Sequence, residues 1–279
     1  MAQNDFLHGV EVKNTPATHP AVDVNLSTIG VIGIAPFADP QAFPLDTPVL
    51  VSGSDTQLIG KLVATAPAGA ADVGTLPAAV ATMLDECSPL MVVVRVAGNT
   101  SYDAETVPEI VGGIDSSGAY KGVHAFLAAE SVIGYRPRLL CAPGYCHLNS
   151  NAVLAELKTV ADKLRAVVFA DGPNTTAQDA IAMAQAGGSR TMLIDPWIIR
   201  ETNGVQAVVP PSAKFAALQA YSDQQNGFWR SLSNQELHGV LGLSRPVDFV
   251  LGDQTCAANI LNANNVATIV RRAGTGYVS

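Results

Sequence analysis

Between residues 90 and 225 short apolar runs alternate with amphipathic stretches, and few folds accommodate that pattern. Leu90 to Val96 reads as an apolar strand, and a helix is expected from about Lys121 to Ala129. Arg138 to Ala142, Ala166 to Ala170, Thr191 to Ile194 and Val205 to Val209 read as further strands. Helices are expected over Ala152 to Leu164, Thr176 to Ala186 and Ser212 to Gln225. In the first of these Val153, Leu157, Val160 and Leu164 share one face, flanked by Leu154 and Ala161, as a 3.6-residue period requires. Strands with almost no polar member are buried on both sides, and a strand–helix succession builds a parallel sheet with helices on each face. The expected fold class is α/β, a mostly parallel sheet flanked by helices, with an extended N-terminal arm.

Upstream, Ile29 to Ala35 is an uncharged buried strand, and Gly30-x-x-Gly33 within it suggests close backbone packing. Pro48 to Ser52 reads as a strand, with helices over Thr56 to Ala64 and Leu76 to Cys87. Downstream, Phe228-Trp229 is read as a pair that anchors the end of a long helix to the core. Ser244 to Phe249 reads as a turn into a short strand, Cys256 to Asn265 as a helix capped from Asp253 or Thr255, and Val266 to Val270 as a strand. Residues 1–25 read as an arm. Phe6, His8, Val10 and Val12 lie on one face of a short strand, and the Pro16 to Pro20 stretch cannot continue a ladder. Such a strand either opens its own domain's sheet or pairs with a sheet in another molecule.

Open parallel sheets put ligands at the carboxyl ends of their strands, and here those ends carry Asp171 and Asp195. Two carboxylates there could hold Mg²⁺ or act as an acid/base pair in a doubly wound small-molecule enzyme. However, Asp171 precedes Gly172-Pro173 and Asp195 precedes Pro196, contexts in which an aspartate bonds the turn backbone. No GxGxxG follows a strand and no GxxxxGK[ST] occurs, so the turn reading is preferred. Cys141-x₄-Cys146-His147 fits neither a zinc nor a haem spacing, and Cys141 is read as a small core residue. GxSxG and HExxH are both missing. No catalytic residue, cofactor site or metal site is assigned, and the chain is not expected to be an enzyme.

Hydrophobic residues make up 48% of the 279, and charged residues only 14%, against about a quarter in typical domains. Either a large Ala/Gly-rich core accounts for this, or much surface is buried against copies of the same chain. The net charge of −8 and the scattered Lys and Arg exclude a phosphate-binding surface, so no nucleic-acid partner is expected. No apolar run approaches the roughly 20 residues of a membrane span, and the first residues lack the pattern of a signal peptide. Four dispersed cysteines suit a reduced, cytoplasmic setting.

One long ordered set of words goes further. It comprises Gly227-Phe228-Trp229, Ser233-Asn234-x-Glu236, Gly239-Val240-x-Gly242-x-Ser244-Arg245-Pro246-Val247, Gly252-Asp253-x-Thr255-Cys256, Ala258-Asn259-x-Leu261-Asn262 and Asn265-x-Ala267-Thr268-Ile269. With these words the chain resembles the sheath proteins of contractile phage tails and R-type pyocins. The resemblance continues upstream through Arg136-Pro137-Arg138-Leu139-Leu140, Asp171-Gly172-Pro173-Asn174-Thr175 and Phe6-x-His8-Gly9-Val10-x-Val12, with Ser54 to Thr106 matching least. It implies a structural subunit of stacked six-fold rings around a tail tube, contracting to drive the tube through the host envelope. The implied partners are other sheath subunits, the tail tube protein, the baseplate and the tail terminator. The implied location is the virion tail, assembled in the host bacterial cytoplasm. It also implies that Phe6, His8, Val10 and Val12 form a subunit-linking strand. In that family a further C-terminal domain follows, beginning with a Trp-Gly-Asn-Arg run. The expected division is therefore an arm at 1–25, an α/β body at 26–258 and, at 259–279, the start of a C-terminal domain that is cut short. A chain so divided is expected to be monomeric or weakly associating.

Overall fold

The computed structural model describes residues 27–279 except 68, 69, 71, 203 and 275. The expected arm, with Phe6, His8, Val10 and Val12, lies outside the described residues. The N-terminal part of the body comprises β1 (Ile29–Ile34), β2 (Pro48–Ser52), α1 (Thr56–Gly60), α2 (Thr75–Leu84), β3 (Leu90–Val96) and α3 (Val107–Val111). A short β4–β5 ribbon (Gly113–Ile114, Tyr120–Lys121) follows, then α4 (Ala125–Ile133), β6 (Leu139–Cys141), α5 (Ala152–Leu164), β7 (Val167–Asp171), α6 (Ala177–Ala186) and β8 (Thr191–Ile194). The rest comprises β9 (Ile198–Thr202), β10 (Val205–Val209), α7 (Ser212–Asn226), β11 (Gly242–Leu243), α8 (Ala257–Ala263), β12 (Val266–Ala267) and the β13–β14 hairpin (Val270–Arg272, Gly276–Val278).

Among the described residues the central sheet has seven strands in the order β12-β8-β7-β6-β1-β3-β2. Only β2 runs antiparallel to its neighbour. Strand alternation divides the interior into two cores. Ile32, Val92, Val94, Leu140 and Val168 face the side covered by α3, α4, α5 and α6. Ile29, Val31, Met91, Val93, Leu139 and Phe169 face the side covered by α2 and α7. Gly33 faces the second side. A Cβ there would lie 2.3 Å from Thr75 Oγ1, the hydroxyl that accepts the Ile34 N–H at 3.1 Å. The close packing expected from Gly30-x-x-Gly33 is therefore real on both faces: Gly33 meets the first turn of α2, and a Cβ on Gly30 would lie 2.7 Å from Leu140 of β6 and 3.0 Å from Phe126 of α4.

Several boundaries differ from expectation. The helix expected from Lys121 starts at Ala125, because Lys121 pairs in β5 and 122–124 form a 3-10 turn. Val205–Val209 is a strand, but it pairs antiparallel with β9 in a separate small sheet that also holds β11. Ser244 to Phe249 forms no strand. The strand expected over Val266 to Val270 divides. Val266–Ala267 adds to the edge of β8, whereas Val270 belongs to the C-terminal hairpin, and the buried Thr268 and Ile269 carry the chain between them. That hairpin is stitched to 234–237: Leu237 N–H donates to Tyr277 O at 2.9 Å and Asn234 N–H to Ser279 O at 2.8 Å.

Candidate functional site

Asp171 is the last residue of β7 and its side chain is fully buried on the α7 side of the sheet. Its carboxylate accepts from Gly144 N–H at 2.9 Å, Ser212 N–H at 2.6 Å and Ser212 Oγ at 2.7 Å. Ser212 opens α7, and that helix has no side-chain cap of its own. A strand end thus supplies the anion that a helix N-terminus favours, and satisfies one of its unpaired N–H groups. Burial nevertheless dominates. It pushes the Asp171 carboxyl up to about 6, against those donors, and the nearby Asp195 adds in the same direction.

Asp195 follows β8 and is also fully buried. It accepts from Asn174 N–H at 3.0 Å and forms an ion pair with the Arg245 guanidinium. Burial raises its carboxyl, and Arg245 opposes the rise. Arg245 Nη1 also donates to Thr175 O at 3.1 Å, so one side chain ties the 244–256 segment to two strand-end turns. Gly172 lets the turns approach, since a Cβ there would fall 2.6 Å from Asp195 Cβ. Trp197 Nε1 donates to Gly172 O at 2.9 Å and lies over the junction. The strand ends do bring Asp171 and Asp195 together, as the sequence suggests, but their oxygens are taken by turn backbone, a helix N-terminus and one guanidinium. Such an arrangement ties loops together and has no open face for a substrate. Arg245, Ser212 and Gly144 were not identified as partners from the sequence, because they come from distant segments with no fixed spacing to either aspartate.

Cys141 and Cys146 are buried in the core, and His147 packs edge-on against Trp197 with ring centroids 5.8 Å apart. Burial raises both thiols and lowers the imidazole, so all three are kept neutral. Among the described residues no group of three or more His, Cys, Asp or Glu is placed to hold a metal ion.

A second polar cluster joins α2, α7 and the segment after α7. The Glu86 side chain is fully buried, with Lys214 Nζ 2.9 Å away and His238 Nδ1 2.7 Å away. Glu86 also accepts the His238 backbone N–H at 2.8 Å. Beside it Arg200 Nε donates to Asp85 at 2.6 Å. Burial lowers Lys214, and Glu86 beside it works to raise it. One sequence signal was available: a lysine inside the otherwise apolar start of α7.

The aromatic pair does not anchor a helix end. Phe228 and Trp229 are 63% and 76% exposed and stack edge to face on each other, 5.3 Å apart. Gly227, at φ +94, ends α7, and the Trp229 ring folds back over it. Farther along, Phe249 and Val250 are exposed too, and Leu251 is 90% exposed. Exposed apolar groups so placed suit contact with other proteins better than chemistry.

Comparison with known sequences decides between these. The profile of the phage tail sheath protein central domain matches residues 118–278. The chain is 35% identical to the major tail sheath protein of Serratia phage KSP20 over 97% of its own length. It is 33% identical to the tail sheath protein of Escherichia phage P2, again over 97%. The chain belongs to the phage tail sheath family. Its role is structural, in a contractile injection system, and it is not an enzyme. The rival reading of a carboxylate enzyme finds no support in these relatives, and the closed strand ends agree with that. This sheath chain spans 68% of the length of both relatives. Its fold is that of solved contractile sheaths. It superposes on the anti-feeding prophage helical sheath in its contracted state with a TM-score of 0.60, at 17% identity, covering all of this chain and 67% of that one. A chain of the anti-feeding prophage baseplate in its contracted state gives 0.65, at 19% identity, covering 98% of this chain and 68% of that one.

Proposed function

We propose that the chain forms the body of a sheath subunit that assembles with copies of itself around a tail tube, bounded by a baseplate at one end and a terminator at the other. Contraction of that assembly would drive the tube through a host envelope. The observation that carries this reading is identity of about a third with phage tail sheaths over nearly the whole chain. The structure supports it physically: two cores on a seven-stranded sheet make a stiff body, and exposed Phe228, Trp229 and Leu251 supply contact surface. Within this proposal Phe6, His8, Val10 and Val12 form the strand that links subunits. The body runs from 26 to 258 and the segment 259–279 leads towards a further domain, although α8 and β12 are themselves packed on the body.

Electron microscopy of the protein expressed from its full reading frame tests the proposal. Striated tubes or stacked rings are expected. Dispersed particles at every concentration and salt tried would remove assembly as its function.

A further inference from the structure

The two ends of the central sheet differ in charge. At the end where the parallel strands begin, Arg138, Arg165 and Arg190 come side by side. The ladder sets this up: Val167 N–H donates to Arg138 O at 2.8 Å, Val168 N–H to Arg190 O at 2.8 Å, and Arg138 Nη1 to Leu164 O at 2.6 Å. Arg190 is paired with Asp162 at 3.4 Å, whereas among the described residues Arg165 has no ion pair. Arg138 and Arg165 rim a cleft of about 440 Å³ walled by Val167, Phe169 and the exposed Phe228. Asp223, the one acid lining that cleft among the described residues, accepts from Gln219 at 2.5 Å and Ser27 at 3.2 Å.

At the opposite end, the segment after β3 carries Asp103, Glu105 and Glu109 around a second, polar hollow. Among the described residues none of the three has an ion pair. Because β1, β3, β6 and β7 are parallel, every copy carries the basic, aromatic surface at one end and the acidic surface at the other. Surfaces that complement each other but not themselves give a head-to-tail contact, which propagates where a two-fold contact would stop at a dimer.

We infer that the Arg138/Arg165/Phe228 cleft receives the acidic 99–109 segment of a second copy of this chain, carboxylates against guanidinium groups and the Phe228–Trp229 pair against the body of that copy. The contact rests on the sheath reading and names the surfaces that join one subunit to the next. Its charges lie at the rim of the contact, so it is sensitive to salt.

Sedimentation velocity on the 279-residue chain tests it, with Arg165→Glu, Glu105→Arg, the double variant, and an equimolar mixture of the two single variants. The unaltered chain is expected to associate with rising concentration at low salt, and about tenfold more weakly near 0.5 M salt. Each single reversal weakens association by about tenfold or more. The double variant and the mixture both restore it, because each again presents opposite charges across the contact. Unchanged melting temperatures show that the variants fold. Should one of them melt early, Arg138→Glu or Glu109→Arg replaces it. The inference is overturned if the unaltered chain stays monomeric up to its solubility limit, if single reversals change nothing, or if reversing both sides restores nothing. Tubes that still form from the full reading frame with either reversal would remove this contact and leave the sheath reading standing. Failure of the unaltered full-length protein to form tubes would remove the sheath reading itself.

Discussion

Burial raises the Asp171 carboxyl from its ordinary 3.8 to about 6, although Gly144 and Ser212 all point donors at it. In the unfolded chain the group titrates near 3.8, so the folded state binds its proton more tightly. The stability it contributes is fully present below that value and is lost as pH rises through about 6. The gap between 3.8 and about 6 corresponds to roughly 3 kcal/mol. Urea unfolding of the wild type and Asp171→Asn from pH 4 to 7 should show that pH-dependent component in the wild type and not in the variant. A difference curve flat across the range would show that the carboxyl titrates elsewhere. Asp171→Asn should also cost about 1–3 kcal/mol near pH 7, since an amide cannot accept all three donors, and more at lower pH, where the wild type regains its pH-dependent component. Arg245→Ala is expected to do more harm than its partial exposure suggests. It leaves Asp195 buried without its cation, a loss of about 3–5 kcal/mol. Denaturant melts check the loss, and hydrogen exchange should speed up across 244–256, the segment Arg245 ties down.

At the scale of elements, α7 depends on two buried charges. Its first N–H is taken by Asp171, and its Lys214 reaches Glu86 at the end of α2. Lys214→Met leaves Glu86 buried beside only an exposed histidine and should destabilise by about 3 kcal/mol, whereas Lys214→Met with Glu86→Leu should recover most of that. A double-mutant cycle by thermal melting measures the difference. How legible each element was follows from how local its causes are. α5, β3, β8 and β10 carry their period or apolar run within themselves, and their ends match expectation to the residue. β9 was missed because Arg200 and Glu201 interrupt its apolar start, and β11 because two residues carry no pattern and are a strand only because Ile199 lies opposite. The strand expected from Val266 was legible, but not its break after Ala267, where pairing with Leu193 and Ile194 ends. Phe228-Trp229 was placed in the core because aromatic pairs usually are, and nothing in the two residues announces that both are left exposed. The meeting of Asp171 with Asp195 was legible from topology. Their partners were not, since Arg245 reaches Asp195 across fifty positions.

For the whole molecule, the resemblance named the family, and the body then shows why it needs no internal chemistry to serve as a sheath. If 6–12 link subunits, deleting residues 1–13 should leave the melting of the body within about 0.5 kcal/mol of the parent and abolish tubes from the full reading frame. Calorimetry and micrographs read the two effects separately, and loss of folding would instead make the strand part of the body's own sheet. The direction of the central strands has one mechanical consequence. A subunit pushed or pulled between its basic and acidic ends is loaded along β1, β3, β6 and β7, whose ladders lie abreast. Their hydrogen bonds then share the load in shear, all at once, and do not open one after another as they would if an edge were peeled. A body strung this way transmits force along its length while its own folding remains the last thing to yield.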